Sequence, residues 1–278
     1  MQTKIKVLTK SSSRPLAAQF FFRGRLLSRF SVLTESIVYL PAATELGVMY
    51  LERDSMQFHQ NDISEVIHIF QNNNSPTDRY ASFDYCYFYF RNSNSEVILE
   101  DMEKSCLVIG FYLASWGMLR GSSFLLNHSV KYYEPLVKYI ASLDESVWAI
   151  DVQNYSNENI EIILDIYQNC KDILIKNGNS DLTLITKILL GVFGFIPAFD
   201  RYFCDVFRSM SNGECGYRRC NKKALKNVQL FYLTNKVVID RLSEELKVTK
   251  FINGEPSMLN YPKAKIIDMY GFTKGISA

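Results

Sequence analysis

Asp200 is the residue whose type and setting point most directly to chemistry. It stands in Thr183–Phe207, TLITKILLGVFGFIPAFDRYFCDVF, where an apolar helix ends near Gly191 and Gly194 and Pro197 mark a connection. Asp200 then opens a second helix, with Phe203, Val206 and Phe207 on its inner face. A carboxylate in the first helical turn accepts backbone N–H bonds and sits at the positive end of the helix dipole. Its plainest role is a cap, but the same group can stabilise a developing cation or orient a water. A second constellation lies in LVIGFYLASWGMLRGSSFLLNHS, where Tyr112, Trp116 and Arg120 at i, i+4 and i+8 share one face of a helix. Leu113, Met118 and Leu125 form the opposite, core-facing side. Gly117, Gly121 and Ser122-Ser123 around Arg120 allow close approach of a backbone or ligand. Arg beside Trp and hydroxyls can hold a phosphate and stack a base, or simply make a tight helix–helix contact.

The elements that must position these groups are helices joined by polar loops, so the expected class is all-α. The pattern predicts helices over 62–70, 79–90, 101–127 (one long helix or a close pair), 133–142, 157–176, 182–191, 199–210, 217–247 and 262–270. Within 85–90 the aromatics also suit a strand, but no partner strand is evident nearby. Asn177-Gly178 suits the left-handed residue at a helix end. Residues 49–278 read as one helical domain. Residues 1–48 read as a peripheral basic extension without a catalytic role: Lys4, Lys6, Lys10, Arg14, Arg23, Arg25 and Arg29 precede the first acid, Glu35. A phosphate-touching arm, a targeting peptide, or sequence upstream of a natural start at Met49 or Met56 are the readings it admits.

The chain has 278 residues, 47% hydrophobic and 22% charged, enough apolar material for an ordinary core. A net charge of +2 means that nucleic-acid contact would use a local patch, not a globally basic surface. Arg208, Arg218, Arg219, Lys222, Lys223 and Lys226 cluster after the Asp200 helix and could supply it. Six cysteines in mostly apolar stretches read as reduced, buried thiols of a cytoplasmic protein. No metal site is expected, because Cys215 and Cys220 lack a second pair or nearby histidines. No apolar run reaches a membrane span, and no motif implies a cofactor or an obligate protein partner.

The segment KILLGVFGFIPAFDRYFCDV resembles the helix–hairpin–helix DNA glycosylase superfamily, which includes endonuclease III, the mismatch adenine glycosylase and the 8-oxoguanine glycosylases. In that family a helix follows the hairpin, then a short loop, then an Asp heading a helix. The resemblance is strong over roughly 30 residues and weak over the helical layout of about 200. It implies a helical glycosylase-like fold with a cleft between two lobes, and Asp200 as the residue assisting glycosidic cleavage. The family's Leu-Pro-Gly-Val-Gly hairpin is degenerate here (NGNSDLTLITK), and the place of its nucleophilic lysine holds Asp181 or Leu182. The implied enzyme is therefore monofunctional, releasing a flipped base by water attack and leaving an abasic site. The implied pocket comprises Trp116, Arg120, Ser122, Tyr112, Tyr85 and Arg201, with the aromatic stretch 84–90 as a wall. Contacts to double-stranded DNA fall to Lys187, Thr186, Arg208, Arg218, Arg219 and Lys222. A further resemblance, carried by SFDYCYFYF, LASWGMLRGSSFLL and PAFDRYF, is to bacterial glycosylases of antiphage defence. It implies phage DNA with a bulky modified cytosine, such as glucosylated hydroxymethylcytosine, as substrate.

Two other classes stay open at this point. Arg120 and His128 suit a helical ribonuclease toxin, though seven residues separate them. The same fold could also serve as a non-catalytic DNA-binding module.

Overall fold

The structure is a computed structural model describing residues 60–176, 178 and 180–277. The extension over 1–48 lies outside the described residues. The described chain is mainly α-helical, in line with the expected class, with one two-stranded antiparallel sheet. In chain order the helices are α1 Gln60–Asn72, α2 Ser82–Arg91, α3 Ser95–Glu100, α4 Met102–Ser115, α5 Glu134–Ala141 and α6 Asn157–Leu174. There follow α7 Leu182–Phe193, α8 Arg201–Met210, α9 Lys222–Thr234, α10 Lys236–Glu245 and α11 Lys263–Ser277. The strands β1 Lys247–Thr249 and β2 Pro256–Asn260 pair between α10 and α11.

The hydrophobic centre is α7, in which every residue from Leu184 to Phe193 is buried. A helix apolar on all sides must be surrounded, and α2, α4 and α6 pack against it. Gly191 makes one crossing possible: a Cβ there would overlap the Tyr112 ring of α4. The Tyr112 hydroxyl donates to the Lys187 carbonyl at 3.0 Å beside this contact. Gly194, with φ of +73°, ends α7 in the left-handed conformation and donates to Leu189 and Leu190 carbonyls. Helix α8 buries Phe203, Cys204 and Phe207 and lies along α11.

Several elements differ from the sequence expectation for identifiable reasons. The span 79–90 is helical, after a single 3-10 turn at Arg79–Ala81. The span 101–127 is not one helix. Gly117 at φ +78° turns the chain out of α4, and its follower Met118 donates back to the Leu113 carbonyl. Gly121 is also left-handed, and regular structure resumes only as a 3-10 turn at Phe124–Asn127. Helix α6 ends at Leu174 with Ile175 extended; Gly178 has φ of +73° but stands beyond that end, and Asn177 lies outside the described residues. The region expected as one helix over 217–247 becomes helical only at Lys222 and breaks at Asn235. Asn235 is fully buried, and both its backbone N–H and its side-chain Nδ2 donate to the Phe231 carbonyl. The hairpin gave no sequence signal: its strands have three and five residues, and only Val248 and Ser257 in them are buried.

Candidate active site

Asp200 is the N-cap of α8, as its sequence position suggests. Its backbone is extended (φ −84°, ψ 176°) and its Oδ1 accepts from the Phe203 N–H at 3.0 Å. Its other oxygen accepts from Lys187 Nζ at 3.1 Å. Both groups are buried, at 9% and 3% relative exposure, so the pair is an internal one. A buried charge needs such a partner, because desolvation otherwise costs several kcal/mol.

The scaffold behind Asp200 is aromatic. Phe199, Phe203 and Phe207 stack in succession with centroids 5.5 and 4.2 Å apart, and Tyr217 meets all three edge-on. The i, i+4 spacing of these phenylalanines puts them on one stripe that runs into α8. The loop before Asp200 is fixed by polar side chains. Asp268 of α11 accepts the Ala198 N–H at 3.0 Å, Thr186 Oγ1 accepts the Phe199 N–H at 2.9 Å, and Thr183 donates to the Phe199 carbonyl at 3.1 Å. Three tethers on two consecutive residues leave the carboxylate little freedom in how it enters α8.

Trp116 lies between two lysines. Lys187 Nζ is 4.8 Å and Lys265 Nζ is 4.4 Å from its ring, both within cation–π range. Lys265 is fully enclosed, touches the rings of Phe70 and Phe83 as well, and pairs with Asp268 at 2.8 Å. Burial pushes its ammonium below the usual lysine range, against the pull of Asp268. The Trp116 Nε1–H is buried without a hydrogen-bond partner. Burial pushes the Tyr112 hydroxyl well above its ordinary range.

Of the residues expected at a pocket, Tyr112 and Trp116 do meet Asp200's surroundings, through the Lys187 carbonyl and ammonium respectively. Arg120 is not on their helix face, because α4 has already ended. It is exposed and folds back over Gly117, its Cζ 3.0 Å from where a Cβ would stand. Ser122 is exposed in the same turn. Arg201 is on the outer side of α8, near Asp205 at 3.7 Å. Tyr85 lies elsewhere: its hydroxyl donates to the Pro76 carbonyl, and it lines a cavity with Phe111 and Phe251, not with Asp200.

Of the expected DNA contacts, Lys187 and Thr186 are placed differently. Both are buried, one held by Asp200 and the other by Leu182 and Phe199 backbone groups, so neither faces solvent. The reason is the all-round apolar character of α7, which takes these two polar residues inside. Arg208, Arg218, Arg219 and Lys222 are exposed. Arg218 and Arg219 line a cavity of about 550 Å³ together with Leu182, the first residue of α7, and Lys171. Arg208 pairs with Asp205 at 3.0 Å and Lys222 lies 3.9 Å from Glu161. The Arg120…His128 pair of the ribonuclease reading has no helix to carry it, and His128 stacks on Tyr132 at 3.9 Å.

The residues that sequence reading missed are Lys265, Asp268, Asp84 and Asp151, all buried. Asp84 takes the Tyr261 hydroxyl at 2.5 Å and the Thr249 N–H at 2.8 Å, with its pKa raised by burial. Asp151 takes the N–H groups of Val152, Lys263 and Ala264, tying the start of α11 to the centre of the chain; burial raises its pKa to about 6. One signal was legible: Lys265 and Asp268 are the two charged residues within the otherwise uncharged stretch 264–272, three residues apart, the spacing of an internal pair.

Fold and site together define a mainly α-helical chain with a lysine–carboxylate pair buried at a helix head beside a tryptophan. No family model, no curated protein sequence and no solved structure matches the chain. Among the described residues, no helix is long and apolar enough to cross a membrane.

Proposed function

We propose that the protein is a monofunctional DNA glycosylase in which Asp200 assists departure of a flipped base. The observation that carries the reading is the setting of Asp200: a carboxylate fixed at the head of α8 by a three-tether loop, within one lysine of the Trp116 ring. As the glycosidic bond breaks, the sugar becomes oxocarbenium-like, and a preoriented carboxylate is worth most at that moment. Lys187 then acts as the resident counter-charge that makes a buried Asp200 tolerable in the free protein, and the developing sugar cation takes over part of that pairing. Arg218 and Arg219, beside the first turn of α7, supply a cationic surface for the phosphate backbone. On the same reading the substrate is double-stranded DNA carrying a bulky modified base, such as the glucosylated cytosine of phage DNA, in a role of antiviral defence.

The test is incubation of the full chain with phage DNAs of different base modification, followed by assay of alkali-labile sites and of released bases by mass. Base release by the wild type and its loss in Asp200→Asn, with an unchanged circular dichroism spectrum, supports the assignment. Full activity of Asp200→Asn ends it. Borohydride reduction during turnover separates the classes further. A covalent adduct that disappears in Lys187→Met would make the enzyme a lyase and refute the monofunctional mechanism. Salt-dependent duplex binding with no base released from any DNA would leave a DNA-binding module instead.

A further inference from the structure

The cavity that holds Tyr85 has no part in the reading above, and its construction is that of a ligand site. It encloses about 970 Å³ and is walled mainly by apolar side chains, among them Tyr85, Tyr89, Leu107, Phe111 and Phe251. That is at the upper end of the size range of small-molecule pockets, which are typically apolar with a few convergent polar groups. Its floor follows α2, whose ten residues span about 15 Å, and α4 forms the second wall, so the space is elongated. The tip of the β1–β2 hairpin closes one side. Phe251 there meets Tyr85 edge-on at 5.2 Å yet is 79% exposed, and Phe111 opposite is 67% exposed. Two large aromatic side chains left so open along one trough expose a substantial apolar surface to water.

One set of polar groups lies at the start of α2, and Asn92, Ser93 and Lys104 lie toward its end. Ser82 begins α2, lines the cavity, is 3% exposed, and its Oγ is buried with no hydrogen-bond partner. A buried hydroxyl in that state costs free energy that a ligand atom would recover. Arg79 and Lys250 line the cavity too; neither has a carboxylate partner among the described residues, and Arg79 Nε donates to the Ser115 carbonyl. Asp78 is the one acid in the lining, and it is already engaged by the Ser75 N–H at 2.7 Å. Lys104 stands at the far end over the Tyr89 ring, next to Asp101 at 3.6 Å. The lining thus carries three cations against one occupied acid.

We propose that this cavity binds a soluble single-chain amphiphile with an anionic head, of the fatty-carboxylate class. The head group accepts from Ser82 Oγ and faces Arg79 and Lys250; the chain lies along α2 and α4, over Phe111, toward Leu107 and Tyr89. The inference is independent of the glycosylase reading, since Asp200 does not line the cavity.

The experiment uses the full chain, the apolar anionic dye anilinonaphthalene sulfonate as reporter, and dodecanoate as competitor. Dodecanoate displaces the dye, whereas dodecyltrimethylammonium, of equal chain length and opposite charge, does not. Ser82→Ala removes an unpartnered buried hydroxyl and no existing hydrogen bond, so its melting temperature does not fall while dodecanoate affinity drops roughly fivefold, the worth of one hydrogen bond. Lys250→Glu weakens dodecanoate by about tenfold and leaves the cationic amphiphile no worse, as charge complementarity requires. Phe111→Asp, at an exposed position, removes dye and dodecanoate binding together. Equal displacement by both amphiphiles, or an unaltered dodecanoate affinity in Ser82→Ala and Lys250→Glu, overturns the proposal. So does a change from dimer to monomer in Phe111→Asp by sedimentation, which would assign the trough to a second copy. Binding to phosphatidylglycerol vesicles without displacement by monomeric dodecanoate overturns it as well.

Discussion

Substituting Lys187 by Met tests the central pair and separates its structural role from its chemical one. Methionine keeps the length and apolar contact of the lysine stem but removes the ammonium that lies 3.1 Å from Asp200 and 4.8 Å from the Trp116 ring. Removing one partner of a buried pair costs about 3–5 kcal/mol, because the other charge stays behind unpaired. Here the cost belongs at the lower end, about 3 kcal/mol, because Asp200 keeps the Phe203 N–H and retains slight contact with solvent. Asp200→Asn keeps a capping oxygen but strands the more deeply buried ammonium, so its cost is at least as large, about 3–5 kcal/mol. If the two groups act on each other, the double variant Lys187→Met/Asp200→Asn is more stable than the sum of the singles implies, by about 1–3 kcal/mol. Urea unfolding of the four proteins at neutral pH, followed by circular dichroism, gives these differences at common slope. Single-variant effects below about 0.5 kcal/mol, or strict additivity, would refute a buried pair at this position. Activity then divides the roles: Asp200→Asn should lose base release even where it remains folded. Lys187→Met should lose less activity than Asp200→Asn, since it removes the counter-charge and not the carboxylate itself.

Three further outcomes follow from the same contacts. Gly191→Ala places a methyl group inside the Tyr112 ring and should destabilise by about 1–3 kcal/mol or more, read as a lowered melting temperature; an unchanged melt would show that α4 and α7 do not cross there. Asp151 is protonated up to a pH of about 6 in the folded chain and to about 4 when unfolded, so the folded form holds the extra proton between these values. Its contribution is present below pH 4 and lost as pH rises through 6. The stability difference between wild type and Asp151→Asn should therefore shift by about 3 kcal/mol across that window, and a pH-independent difference in urea midpoints would contradict it. For DNA, Arg218→Ala and Arg219→Ala should each lower the slope of log affinity against log salt by about 1. Thr186→Val, inside α7, should cost stability and leave the slope alone; fluorescence anisotropy over a salt series reads both.

The helices that carry the site were legible because their signals are local and redundant. The N-cap aspartate, the i, i+4 phenylalanines behind it and the Gly194–Pro197 connection lie within one short stretch, and the structure forms that cap. Periodicity also placed α6, α7 and α8 to within a few residues. It failed where a single backbone feature overrode composition. Gly117 ends α4 although its followers are apolar, which detached Arg120 from the face of Tyr112 and Trp116. Asn235 splits α9 from α10 through its own side-chain bond to Phe231. A three-residue strand such as β1 is too short for any alternation to register.

The polar interior was illegible for a different reason. Lys187 is the lone charge in an apolar helix, a pattern that reads as solvent-facing because lysine is seldom fully buried unless paired. Its partner Asp200 is 13 residues away, and the second pair, Lys265–Asp268, lies in the last helix. What joins them is Trp116, at the C-cap of α4, with one ammonium 4.8 Å and the other 4.4 Å from its ring. Two like charges are tolerable around one indole only if each has its own carboxylate, and each does. The same carboxylates are also the anchors of the chain around them: Asp200 caps α8, and Asp268 holds the Ala198 N–H two residues upstream. Charge balance and loop geometry are therefore one arrangement. A change that neutralises either aspartate both strands a lysine and loosens the entry to α8, so any chemistry at Asp200 depends on a residue at the far end of the chain. On this argument Asp268→Asn, which never touches Asp200, should disturb the head of α8 as much as a substitution beside it.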